Sequence, residues 1–207
     1  MFGGLPDALL SVLSMLFVGA AIKMMDDHLD AEYDICQGHQ TLVVRLGRAA
    51  LPYALAFSVI GTYIRPELAL AMFLGSYAVG MFAGWQEKLP SKAPAVVEIL
   101  LAIAVSVVLV GWQLALWAIA LMAVFDWVDD LVDITTDRQS GQRNIAVRLG
   151  LVEATLLTFA ALCTSVLTNP LNTALGFLAF ALLTALSELT TRSLWQAIDD
   201  EDGGMSP

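Results

Sequence analysis

Seven stretches of this chain are too apolar to face water: residues 5–25, 49–64, 68–85, 94–111, 112–128, 151–168 and 171–189. A helix needs about 20 apolar residues to cross roughly 30 Å of hydrocarbon. Several of these runs, at 16–18 residues, sit near the lower limit for spanning. Punctuation supports the divisions: Arg65-Pro66-Glu67, the stretch 86–93 with Pro90, and Asn169-Pro170. Residues 94–128 hold 35 positions, too many for one ordinary span, and divide at Gly111-Trp112-Gln113. The composition agrees, with 58% apolar residues, 14% charged residues and a mean hydropathy of +0.74. Soluble domains carry about 45–50% and about 25%. A soluble globular enzyme and a disordered chain are both excluded. A formal charge of −10 without a basic stripe argues against nucleic acid as a partner. The expected fold is all-α: a polytopic transmembrane bundle of about seven helices. It forms a single domain over residues 1–198, and the acidic tail 199–207 is expected to be disordered.

The first run has no basic leader and no A-x-A-like cleavage site, so it reads as a helix and not as a signal peptide. Cys36 and Cys163 stand in no metal-binding spacing and read as small apolar fillers. Seven alternating crossings place Lys23, Arg45, Arg48, Lys88, Lys92, Arg138, Arg143, Arg148 and Arg192 on one side and Arg65 alone on the other. Nine against one is a strong positive-inside bias. It predicts an integral membrane protein, of the plasma membrane, with its N-terminus outside and its C-terminus in the cytoplasm.

An internal repeat sharpens the picture. Residues 26–47 read DDHLDAEYDICQGHQTLVVRLG and residues 129–150 read DDLVDITTDRQSGQRNIAVRLG, aligned without a gap at an offset of 103. Nine of the 22 positions are identical: Asp26/Asp129, Asp27/Asp130, Asp30/Asp133, Asp34/Asp137, Gly38/Gly141, Val44/Val147, Arg45/Arg148, Leu46/Leu149 and Gly47/Gly150. Chance gives roughly one or two matches in such a window. The apolar runs superpose at the same offset, which predicts halves of about 1–93 and 94–198. A unit of four helices is even, so the copies form a parallel repeat about an axis along the membrane normal, with a shared site near it.

Each copy holds Asp-x-x-x-Asp-x-x-x-Asp: Asp26, Asp30 and Asp34, then Asp129, Asp133 and Asp137. This spacing lines one helical face. Asp27, Asp130 and Asp126 adjoin it. The acids fall at inner, C-terminal helix ends, where the helix dipole already disfavours carboxylates. Two unit charges about 6 Å apart repel by roughly 3 kcal/mol at an effective dielectric of about 20. Either protons are retained or divalent cations bind. Magnesium suits best, since it takes carboxylate oxygens and bridges to phosphate. One such cluster alone reads more readily as a solvated acidic collar; two in register favour a cation site. Such a site beside membrane lipid fits an amphiphilic substrate carrying a diphosphate. Arg45, Arg143 and Arg148 follow the aspartates and are placed to clamp its oxygens, or serve as positive-inside anchors. Lys23 is a further candidate, one turn before Asp27. His28 reads as a neighbour and not a ligand.

Together these residues resemble the UbiA superfamily of intramembrane prenyltransferases, which pairs an [Asn/Asp]-xxx-Asp-xxx-Asp motif with a later Asp-xxx-Asp-xxx-Asp motif. The stretch 137–150, DRQSGQRNIAVRLG, resembles the family's GDxxxGxxTLAVRLG-like continuation. The specific likeness covers about 45 residues. The chain departs from the family in three ways. The first motif follows the first helix and not the second, Asp26 stands where Asn is common, and no basic, proline-rich stretch follows. The resemblance implies a Mg²⁺-dependent transferase. Asp26, Asp30, Asp129 and Asp133 would carry the catalysis, with Asp27, Asp34, Asp130 and Asp137 completing the metal ligands. Lys23, Arg45, Arg143, Arg148 and Asp126 would bind substrate. The prenyl group would pass from its diphosphate to an acceptor, often an aromatic ring. Trp127 or Tyr33 would stabilise the allylic cation, or else serve as interfacial aromatics.

Other readings compete. DDHLD and DDLVD also match the paired motifs of soluble isoprenyl diphosphate synthases, a class this composition excludes. A cation or proton carrier is opposed by the clustering of acids at helix ends; Glu98, Glu153 and Glu188 also lie near inner ends. The alternative is a non-catalytic or transport membrane protein with a divalent-cation site built from the repeated Asp motifs. Gly80–Gly84 forms a GxxxG pattern suited to helix packing.

Overall fold

A computed structural model of the chain describes residues 5–31, 35, 41–141 and 144–203. The described residues build helices and no strand. In chain order they are α1 (Leu5–Leu29), α2 (Leu42–Leu46), α3 (Ala50–Ile64), α4 (Pro66–Gly80), α5 (Ala95–Val110), α6 (Trp112–Val132), α7 (Ile134–Ser140), α8 (Ile145–Leu149), α9 (Leu151–Thr168) and α10 (Pro170–Gly203). Short 3₁₀ turns at Gly47–Ala49 and Phe82–Gly84 complete the path.

The sequence punctuation shows where these helices break. Pro66 and Pro170 open α4 and α10, where a missing N–H costs no hydrogen bond. Gly111, at φ 83°, is the sole residue between α5 and α6, a conformation only glycine takes without strain. Arg65 and Asn169 are likewise the whole of the α3–α4 and α9–α10 connections. The α1–α3, α4–α5 and α6–α9 connections are long and carry most of the basic residues, and the aspartate motifs run into the first and third of them from the ends of α1 and α6.

Among the described residues, five helical stretches are long and apolar enough to cross a membrane: Pro6–Leu29, Leu42–Ile64, Pro66–Gly84, Leu151–Thr168 and Pro170–Thr191, with Ala95–Val110 a shorter apolar helix. Only 17% of the apolar window in Leu42–Ile64 is buried, although its mean hydropathy is 1.4. Leu55, Val59, Val108 and Leu167 all point outward. Apolar faces left this open need lipid as their solvent. This is the pattern of an integral membrane protein.

The chain divides into two compact units, Met1–Ile64 with Phe177–Pro207, and Arg65–Gly176. The division follows helix packing and not the sequence halves 1–93 and 94–198. In the first unit α1 packs along α3. Gly61 lets them approach: a Cβ there would stand 2.5 Å from Val18 Cγ2 and 3.1 Å from the Ser14 carbonyl oxygen. Ser14 Oγ donates to the Gly61 carbonyl at 2.8 Å. Ala21, Met24, Val43, Ala50 and Ala54 form the core beneath the first motif.

In the second unit α6 is the central helix, packed by α4, α5, α8 and α9. Gly75 meets the Ala118 backbone at 3.1 Å from an added Cβ. Trp117 is fully buried, and its Nε1–H donates to Thr173 Oγ1 at 3.0 Å. The single proton of that hydroxyl is shared between the Ser165 and Asn169 carbonyls, at 2.9 and 2.8 Å. The network ties α6 to α9 and α10. The helical backbone of α10 carries on through residues 199–202, the stretch expected to be disordered.

Candidate functional site

The first motif begins inside α1. Asp26 and Asp27 occupy its last turn. Asp30 follows at a bend, its N–H still bonded to the Asp26 carbonyl at 3.1 Å. Lys23 Nζ donates to Asp27 Oδ1 at 3.2 Å, so this candidate substrate cation is engaged by an aspartate of its own motif. Asp34 and Tyr33, and Arg143 in the second copy, lie outside the described residues.

The second motif starts on α6, which continues past its apolar run to include Asp126, Asp129 and Asp130. Asp133 sits at the junction of α6 and α7, with φ −93° and ψ 9°. The three aspartates of the repeat therefore do not share one straight helix. The i→i−4 hydrogen bonds nonetheless persist, Asp133 N–H to the Asp129 carbonyl and Asp137 N–H to the Asp133 carbonyl, both at 2.9 Å. Asp126, Asp129 and Asp133 are exposed, whereas Asp137 is buried.

Sequence reasoning missed Asn144. It is 3% exposed and stands at the N-cap of α8. Its Oδ1 accepts from Val147 N–H at 2.9 Å. Its Nδ2 donates to the Asp130 carbonyl oxygen at 2.6 Å and to Asp137 Oδ2 at 2.8 Å. Asp130 Oδ2 in turn accepts from Ile145 N–H at 2.6 Å. A polar residue before a short apolar helix was the available signal.

Past the apolar run, burial pushes the Asp130 carboxyl up to about 6. The Ile145 amide pulls it down, and the charges of Asp137, Asp129 and Asp133 push with burial.

Below their aspartates the two copies share local structure. Thr41 caps α2 by accepting from Val44 N–H at 3.2 Å, as Asn144 caps α8. Both short helices end on glycines of positive φ, Gly47 at 53° and Gly150 at 106°. The copies differ at Lys23, whose counterpart is Asp126, and at Thr41 against Asn144.

Arg148 Nη1 donates to the Ala83 carbonyl, and its guanidinium lies 5.9 Å from the Trp85 ring centroid. It fastens α8 to the turn Phe82–Gly84. Trp127 lies 5.8 Å from the Phe82 ring. Arg45 is exposed on α2.

Among the described residues, no three His, Cys, Asp or Glu side chains group as a metal cage. The donor chemistry still fits magnesium, which is held by one or two carboxylates together with phosphate and water. Asp129 and Asp133, one turn apart and exposed, are such a pair.

Compared with protein-family models, curated proteins and solved structures, the chain finds no match.

Proposed function

We propose that this protein is a membrane-embedded prenyltransferase, moving an isoprenoid group from a prenyl diphosphate to an acceptor dissolved in or reached through the lipid. The observation that carries the reading is the doubled local plan: an aspartate-bearing helix end followed by a capped five-residue helix and a positive-φ glycine, in both copies. The five membrane-length helices among the described residues put the protein in lipid, where an isoprenoid chain dissolves.

In this reading Asp26 and Asp30 of the first motif, and Asp129 and Asp133 of the second, would each offer carboxylates to Mg²⁺, supported in their own motif by Asp27 and Asp34 and by Asp130 and Asp137. The ion, when bound, neutralises diphosphate charge and stabilises it on departure. Arg45 and Arg143 donate hydrogen bonds to the diphosphate oxygens. Lys23 and Asp126 set the charge beside each motif. The allylic carbon–oxygen bond breaks with its electron pair leaving on the diphosphate. The acceptor then bonds that carbon and gives up a proton to water. The aspartates face the cytoplasm, with seven crossings and the N-terminus outside.

The test is turnover of a radiolabelled prenyl diphosphate by purified protein in nanodiscs. Wild-type protein should release diphosphate only with Mg²⁺, and Asp30→Ala and Asp133→Ala should each abolish it. Wild-type rates in both variants would falsify the assignment.

A further inference from the structure

We infer that Asn144 is a positioning residue for the second aspartate motif, holding Asp130 and Asp137 so that the motif binds a divalent cation; this rests on the functional reading above. Its buried amide uses its whole donor capacity on the motif, one N–H on the Asp130 carbonyl and one on the Asp137 carboxylate. Its oxygen serves the helix cap.

The cap does not need an amide. At the matching position of the first copy a threonine hydroxyl makes the same bond to Val44 N–H. A hydroxyl supplies a single donor, so it cannot reach both the Asp130 backbone and the Asp137 side chain. What asparagine adds over threonine is directed at the two aspartates. Ile145 N–H, the next group along, donates to Asp130 Oδ2. The residues after the motif thus form a clasp that fixes one oxygen of each carboxylate. Partners of this kind orient ligating carboxylates, and losing one weakens metal affinity about 10–100-fold.

The variant is Asn144→Thr, which installs the first copy's cap and deletes the amide. The probe is Mn²⁺, titrated by electron paramagnetic resonance into full-length protein in detergent. Affinity should fall about 10–100-fold while the metal-free melting temperature holds to within about 3 °C. Asn144→Ser provides the same comparison should the threonine pack poorly. A lowered melting temperature with Mn²⁺ affinity within threefold of wild type overturns the inference and leaves Asn144 a structural residue. Saturable binding by wild type with unmoved affinity in both variants does the same while sparing the functional reading. Absence of saturable binding in wild type removes both.

Discussion

At the scale of single residues, the chemistry concentrates where charge is least comfortable. Asp130 is pressed into protein beside three other carboxyls and keeps a proton up to about pH 6. A cation bound through this motif must displace that proton. Mn²⁺ affinity should therefore fall by up to about tenfold per pH unit below about 6, and Asp130→Asn should flatten that profile. Calorimetric titration at pH 7, 6 and 5 is the check; a profile indifferent to the substitution counts against Asp130. The stability sign is opposite. The folded carboxyl holds its proton more tightly than the unfolded one, from 3.8 up to about 6. The site's contribution to stability is then full below the unfolded value and lost as pH rises through about 6. At this scale the sequence was readable in part. Aspartates at fourfold spacing announce themselves, whereas Asn144 is a single polar letter whose meaning depends on a fold bringing it under a helix end. Arg148 reads by position as an anion clamp or a positive-inside anchor, and nothing in its letter announces the bond from its Nη1 to the Ala83 carbonyl, 65 residues away in sequence.

At the scale of helices, small residues and shared hydroxyls set the contacts. Lipid offers no hydrophobic drive between helices, so close packing and polar ties decide which faces meet. Gly61→Ala should push α1 off α3, since the new methyl would stand 2.5 Å from Val18 Cγ2 with backbone just behind it. The expected cost is about 1–3 kcal/mol, read as a lowered melting temperature in detergent. Thr173→Val should cost a similar amount by leaving the buried Trp117 N–H without its acceptor. Thr173→Ser, which keeps the hydroxyl, should lose less than about 1 kcal/mol. Equal losses in the two Thr173 variants would show that the methyl matters and the hydroxyl does not. Helix positions were legible because apolar runs, prolines and Gly111 mark them. Helix ends were less so. α6 continues through Asp129 and Asp130 as far as Val132 because nothing in DWVDDLV forbids a helix, and α4 stops at Gly80, before the end of its apolar run.

At the scale of the whole molecule, the repeat was visible in the letters, but the packing units were not. Residues 65–176 gather around α6, and residues 177–207 group with the first 64. Sequence similarity records descent, whereas packing records which faces ended up complementary. The distribution of basic residues makes a testable claim about orientation. In a chain whose native cysteines are replaced by alanine, a cysteine at Arg65 should react with an impermeant maleimide in right-side-out vesicles. A cysteine at Ser91 should react only in inverted ones. The reverse pattern would invert the assigned topology.

The connections between helices alternate between one residue and many. Arg65, Gly111 and Asn169 leave nothing beyond themselves for an antibody, a protease or a binding protein to hold. In the proposed orientation these bare turns face away from the cell interior. A molecule that grips the loops between these helices must then do so from the cytosolic side, where the long connections lie.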